Sequence, residues 1–97
     1  MHIQISEEAV QWFDQEMEVE AGEYVQFFAR YGGSSPLHEG FSLGVRKEQP
    51  EQIAVSVEHD GVTYYIDQHD VWFFQEHDLH ITLDEAMNEL RFDYQQA

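Results

Sequence analysis

Short segments in which every second residue is apolar recur along most of this chain, the period of a strand that buries one face. Ile3 and Ile5 alternate with His2 and Gln4, which predicts a short edge strand. From Glu23 to Tyr31 the residues Val25, Phe27, Ala29 and Tyr31 fall on one face and Tyr24, Gln26, Phe28 and Arg30 on the other. This segment, rich in β-formers, predicts a central strand. Phe41, Leu43 and Val45 predict the next, after the break Gly32-Gly33-Ser34-Ser35-Pro36. Ile53, Val55 and Val57 are followed by Asp60-Gly61 and then Val62, Tyr64 and Ile66, the signature of a hairpin with antiparallel arms. Leu79, Ile81 and Leu83 resume the period, and Leu90, Phe92 and Tyr94 follow a turn or loop at Asp84 to Glu89.

Two segments depart from this period. Ser6 stands at an N-cap position with Glu7 and Glu8 behind it, and Ala9 or Val10, Phe13 and Met17 recur at helical spacing. This predicts a helix of about eleven residues with one apolar face, ended by Ala21-Gly22, with Trp12 at the core margin. Asp67 can cap a short second helix containing His69, Asp70 and Val71, with Trp72, Phe73 and Phe74 closing against the sheet. The expected fold is therefore mainly β with α, an α+β arrangement. Residues 1–97 form a single domain, because a chain of this length has room for one core. A largely antiparallel or mixed sheet should pack Val25, Phe27, Leu43, Val55, Val57 and Ile66 against the helix side carrying Phe13 and Met17.

Charge and cysteine content narrow the function classes. Four Lys and Arg against twenty Asp and Glu give a formal charge of -16, which repels phosphate backbones and anionic membranes. No nucleic-acid or membrane partner is expected. The same charge suits solvation, a high-salt habitat or a basic protein partner. Absence of cysteine removes disulfides, thiol redox chemistry, cysteine-metal sites and a cysteine nucleophile. Neither a signal peptide nor a run of about 18 apolar residues is recognisable, so the expected location is the cytoplasm.

Candidate chemistry is sparse. His69, His77 and His80 lie near Asp78, and imidazole with carboxylate can ligate zinc or iron. A strand at His80 sends neighbouring positions to opposite faces, however, and no closed ligand spacing is present, so surface or hydrogen-bonded histidines are expected and no metal ligand is assigned. Ser34, Ser35, His38 and Glu39 share the glycine-rich loop. A serine near a histidine invites a hydrolase reading, but a nucleophile elbow needs a strand-to-helix turn, and this loop leads into another strand. The loop also lacks the lysine and following helix of a phosphate-binding P-loop. Carboxylate pairs such as Glu7/Glu8 and Asp84/Glu85 arise from abundance alone among twenty acids. No catalytic residue and no cofactor are expected, and the chain reads as a non-enzyme.

The order of these pieces resembles the HesB/IscA superfamily, the A-type iron–sulfur assembly proteins, and especially its small cysteine-poor bacterial branch. The resemblance rests on Ile3-Gln4-Ile5-Ser6-Glu7-Glu8-Ala9, on RYGGSSPLHEGFSLGV from Arg30 to Val45, on DGVTYYID from Asp60 to Asp67, and on LHITLDEAMNELRFDY from Leu79 to Tyr94. It implies a HesB-like small sheet domain with an N-terminal helix and a short helix after the D-G-V hairpin. In that family three cysteines hold iron or a cluster. The first falls at Ser34 here, the family serine after it at Ser35, and the final Cys-x-Cys has no counterpart after Tyr94, where Gln95, Gln96 and Ala97 stand. Serine lacks the soft thiolate that suits this ligation, so the isolated chain is expected to hold no cluster.

Two functions are compatible with these features. The first is a non-enzymatic accessory or protein-binding role in iron–sulfur assembly, with an assembly factor or recipient protein as partner. The alternative is a diverged ligand- or protein-binding module with no iron role, using its acidic face or the 32–40 loop. In either case the candidate recognition loop is Ser34, Ser35, His38 and Glu39.

Overall fold

The computed structural model describes residues 1–96. In chain order it contains β1 (Ile3–Ile5), α1 (Glu7–Glu16), β2 (Tyr24–Ser34), β3 (Glu39–Lys47), β4 (Ile53–His59), β5 (Val62–Asp67), a 3-10 turn (Gln68–Asp70) that runs into α2 (Val71–Phe74), β6 (His77–Asp84) and β7 (Glu89–Gln96). The fold is α+β. Two mixed sheets are present where the alternation suggests one: a three-stranded sheet in the order β1-β6-β7 and a four-stranded sheet in the order β3-β2-β5-β4.

Local chemistry accounts for the element ends. Ser6 caps α1, its Oγ accepting from the Ala9 N–H at 3.2 Å. The helix stops at Met17, with Glu18 in the left-handed region (φ 51°), five residues before Gly22 is reached. Asp60 and Gly61 both have positive φ, as the tight hairpin turn requires, and His59 pairs with Val62 across it. Gly61 also sits against the connector after α1: a Cβ there would stand 2.8 Å from the Ala21 Cβ, and the Gly22 N–H donates to the Gly61 carbonyl at 2.8 Å.

Strands distant in sequence complete the sheets. β1 runs parallel to β6, with Ile3 opposite Leu79 and Ile5 opposite Ile81, and β2 runs parallel to β5 over Tyr24 to Gln26. Between the sheets lies one apolar core. Phe27 on β2 meets Phe13 of α1 at 6.1 Å, Phe92 of β7 at 6.3 Å and Tyr64 of β5 at 6.4 Å between ring centroids. Leu43, Val45, Val55, Val57 and Met17 pack around this centre as the alternation predicts.

The outer face of the four-stranded sheet is also partly covered, which alternation alone does not anticipate. Gln26 and Tyr65 point outward yet are buried. The Arg46 Nε donates to the Gln26 Oε1 at 2.9 Å while its guanidinium lies 4.2 Å from the Phe28 ring centroid. The Tyr65 hydroxyl donates to the Glu48 carbonyl at 2.7 Å, so the connector between β3 and β4 lies over this face. Asp67 fixes that connector. Its carboxylate accepts from the backbone N–H groups of Glu51 (2.9 Å), Gln52 (3.1 Å) and Gln68 (2.8 Å). Burial pushes the Asp67 carboxyl up, but these three donors outweigh it and hold the group below the usual aspartate value.

Candidate functional site: an exposed aromatic ledge

The glycine-rich stretch does not break β2. The strand continues through Gly32 and Gly33 to Ser34, which pairs with Glu39 after a register shift that begins at Tyr31. The turn beyond it is closed by Ser35: its N–H donates to the His38 carbonyl at 2.9 Å, and its Oγ accepts from the His38 N–H at 3.2 Å. Of the four loop residues singled out in the sequence, Ser34 and Glu39 are exposed, Ser35 holds the turn, and His38 leans onto α2. The His38 Nε2–H donates to the Phe73 carbonyl at 3.1 Å, which fixes the tautomer and the ring.

His38 thereby joins a row of rings. Its imidazole lies 5.2 Å from Phe73 and 5.3 Å from Trp72, Trp72 lies 5.2 Å from Phe41, and Phe41 lies 5.6 Å from Tyr31. Most of these contacts are edge-to-face, the favoured geometry for aromatic pairs. Phe73 is buried and anchors the row. At the outer end Tyr31 is 87% exposed and Trp72 49% exposed. Trp72, which the sequence reading closes against the sheet with Phe73 and Phe74, stands half out of it, and Tyr31 lies in solvent although it shares the alternating face of Val25 and Phe27. β2 and β3 extend past the layer that would cover them, so the inward-facing pattern ends in solvent. The result is a ledge of Tyr31, Phe41 and Trp72 backed by His38.

Beneath the ledge, Asp70 connects α2 to β2. Its Oδ1 accepts from the Ala29 N–H at 3.3 Å, beyond the point where β5 ceases to pair with β2. Burial raises its carboxyl above the usual aspartate value, partly offset by that N–H and by His69 and Arg46. His69 bridges two acids, with Nδ1 3.5 Å from Asp67 and Nε2 3.3 Å from Asp70. His77 turns back on the Phe74 and Gln75 carbonyls at 3.0 Å, and His80 stands opposite Asp93 on the β6–β7 ladder. Among the described residues, no three His, Asp or Glu side chains are arranged to hold a metal ion.

No family model matches the chain. It is 43% identical over 95 residues to the pyruvate dehydrogenase inhibitor of Bacillus subtilis (strain 168), covering 98% of this chain and all of that protein. The chain belongs to that protein's family. An uncharacterized protein of Staphylococcus saprophyticus is 36% identical over 95 residues, spanning 95% of this chain and 97% of the relative. Another, from Staphylococcus aureus (strain MRSA252), is 33% identical over 97 residues, with 97% of each chain covered. Similarity in this family thus extends over the whole domain, including the strands and the short helix that carry the ledge.

Proposed function

We propose that this chain is a non-enzymatic binding protein that restrains pyruvate dehydrogenase by docking on it through the Tyr31, Phe41 and Trp72 ledge. The exposed aromatic row carries this reading. Tyr and Trp are the residue types that supply most of the energy in protein interfaces, and here they stand in solvent on a buried Phe73 footing. Full-length similarity to the Bacillus subtilis pyruvate dehydrogenase inhibitor supports the choice of target. Inhibition acts by occupation: the chain supplies a rigid, strongly acidic surface, and the matching surface on the enzyme is apolar at its centre and basic at its rim. Ser34 and Glu39, exposed at the end of the β2–β3 hairpin, extend the contact beside the ledge. An accessory role in iron–sulfur assembly rests on the HesB/IscA resemblance alone, and the curated relative favours enzyme inhibition over it.

The test is NADH production by the purified pyruvate dehydrogenase complex of the chain's own organism, with the full chain added in increasing molar ratio. The unmodified chain should inhibit saturably. The double variant Tyr31→Ala/Trp72→Ala should raise the half-inhibitory concentration by roughly 30-fold or more, the equivalent of a hot-spot loss of about 2 kcal/mol, with little change in its unfolding midpoint. Absence of inhibition at 100-fold molar excess would reject the target. Undiminished inhibition by a folded double variant would reject the ledge.

A further inference from the structure

The edges of the two sheets are formed by β1, β7, β3 and β4. An open edge invites pairing with another chain, and proteins blunt it with short strands, bulges or charges. β1 spans only Ile3–Ile5, β4 carries a register shift between Ile53 and Val55, and β7 alternates Glu89, Arg91 and Asp93 along its length. β3 has none of these defences. It pairs with β2 residue for residue from Phe41 to Lys47, and no charged side chain occurs from Gly40 to Val45.

The phase of the backbone fixes which groups of β3 stand open. The Glu48 N–H donates to the Tyr24 carbonyl at 3.3 Å, whereas the Ala29 N–H turns the other way, to Asp70. Gln26, Phe28 and Arg30 of β2 therefore bond to Arg46, Gly44 and Ser42 of β3. Phe41, Leu43 and Val45, which alternate with these, direct their N–H and C=O groups to the free edge. Their side chains pack toward the core yet are only half-buried, so the same edge also leaves apolar surface uncovered.

We propose that β3 is a dimerisation edge whose occupant is β3 of a second copy of this chain, running antiparallel about a twofold axis at Leu43. In that register the strand is complementary to itself. Leu43 stands opposite Leu43 of the second copy, Phe41 opposite Val45, and Glu39 opposite Lys47, which supplies an aromatic–β-branched pair and an opposite-charge pair on each side of the axis. Leu43, Phe41 and Val45 all meet residues that also face the edge, so these pairs are of the kind that exchange both N–H···O bonds. Between them Ser42 meets Gly44 and Arg46 meets Gly40, and no two bulky side chains collide. A slip of one residue sets edge-facing groups against groups already bonded to β2. A slip of two sets Glu39 opposite Val45 or Lys47 opposite Phe41. Lys47 bonds Glu23 and the Glu18 carbonyl within its own chain, and its ammonium keeps a third donor for Glu39. β3 carries one acid and two bases in a molecule of net charge -16, so two copies meet here without a local excess of carboxylates. The seam joins two four-stranded sheets into one and does not depend on what the ledge binds.

The experiment is sedimentation of the full-length chain from roughly 10 μM to 1 mM, the range of a weak interface below standard size, joined by amide hydrogen exchange of the 15N-labelled chain at both ends of that range. A monomer–dimer equilibrium is expected. It should tighten at least about threefold between about 0.1 M and 0.5 M sodium chloride, as repulsion between two acidic chains is screened. On dimerisation, exchange at Phe41, Leu43 and Val45 should slow at least about tenfold, while Ser42, Gly44 and Arg46, already bonded to β2, change little. Lys47→Glu should weaken the dimer by roughly fivefold or more, and Arg91→Glu, the same change of net charge placed on β7, should stay within about twofold of the parent. Glu39→Lys/Lys47→Glu restores opposite charges across the seam and should recover the dimer. Leu43→Pro removes an edge donor that has no partner in the monomer and should abolish it. The proposal is overturned by a chain that stays monomeric throughout, by a dimer whose Phe41, Leu43 and Val45 amides exchange as in the monomer, or by a folded Leu43→Pro variant that still dimerises. It is equally overturned if Lys47→Glu weakens the dimer no more than Arg91→Glu does, or if the charge swap recovers nothing.

Discussion

Asp67→Asn isolates the charge of the carboxylate that pins the β3–β4 connector while preserving its size. In the native protein three backbone donors converge on this side chain, two of them from the connector itself. An asparagine offers one acceptor oxygen. If that oxygen takes the place of Oδ1 it keeps Gln52 and Gln68, and its NH2 group then faces the Glu51 N–H donor to donor; the flipped amide leaves the Gln68 N–H unmet instead. One charge-assisted bond is lost, worth roughly 1.5 to 3 kcal/mol, and the two that remain are weakened to neutral strength. The expected cost is about 2 to 4 kcal/mol, a large part of the roughly 5 to 15 kcal/mol that stabilises a domain. The nearby His69 is exposed and adds little. Urea unfolding at 25 °C and pH 7, followed by tryptophan fluorescence, measures the difference. Because the folded Asp67 carboxyl titrates below its unfolded value, its contribution is complete above about pH 4 and is lost as pH falls through the depressed folded value. The gap between parent and variant should therefore narrow at pH 3. A gap under about 0.5 kcal/mol at pH 7, or one of equal size at both pH values, would refute the assignment of the connector to this carboxylate.

Phe27→Ala removes the ring that touches α1, β5 and β7 at once and should cost roughly 3 to 5 kcal/mol in the same urea assay; a loss under about 1 kcal/mol would mean the core closes without it. Gly61→Ala places a methyl against Ala21 at a φ of +82° and should lower the thermal midpoint by about 8 to 16 °C, for a penalty of about 2 kcal/mol; a change below about 4 °C would show that the hairpin and connector part readily.

The sequence is most legible where structure is decided within a few residues. The Ser6 cap, the Asp60-Gly61 turn and the Asp67 start of the second helical segment each depend on a side chain and its near neighbours, and each was readable. What lay hidden depends on partners far along the chain. β1 pairs with β6 across some 76 residues, so alternation could identify both strands without revealing that they form a sheet of their own. Asp67 looked like a cap alone because the Glu51 and Gln52 amides reach it only once β4 and β5 are in register. The helix ends short of Ala21-Gly22 for a different reason: Glu18 takes a left-handed conformation, which a non-glycine residue rarely adopts and which composition does not signal. Of the candidate site, the 32–40 loop drew attention through its glycines and polar side chains, and the structure ties His38 from that loop to Trp72. Tyr31 and Trp72 escaped because apolar period marks a face without saying whether another layer covers it. An exposed large aromatic in an otherwise core-like pattern becomes visible only when the opposing layer is known to end.

Charge gives two opposite salt dependences that test the fold and the proposed function together. The chain has four basic side chains, and three are engaged within it: Arg46 with Gln26, Phe28 and Glu48, Lys47 with Glu23 and the Glu18 carbonyl, and Arg30 with Ser42. Most of the twenty acids face water without a basic neighbour, so the folded surface repels itself more than the expanded unfolded chain does. Added sodium chloride shortens the Debye length from about 10 Å at 0.1 M to about 3 Å at 1 M, and the thermal midpoint should rise up to 0.5 M. The same screening weakens attraction between this surface and the basic rim proposed for its target, so the proposed inhibition of pyruvate dehydrogenase should fall over the same range, chiefly through slower association. A midpoint that is flat or falls with salt would contradict the crowding of carboxylates. Inhibition that holds steady or strengthens while the midpoint rises would leave the aromatic ledge as the whole interface and remove the acidic surface from recognition.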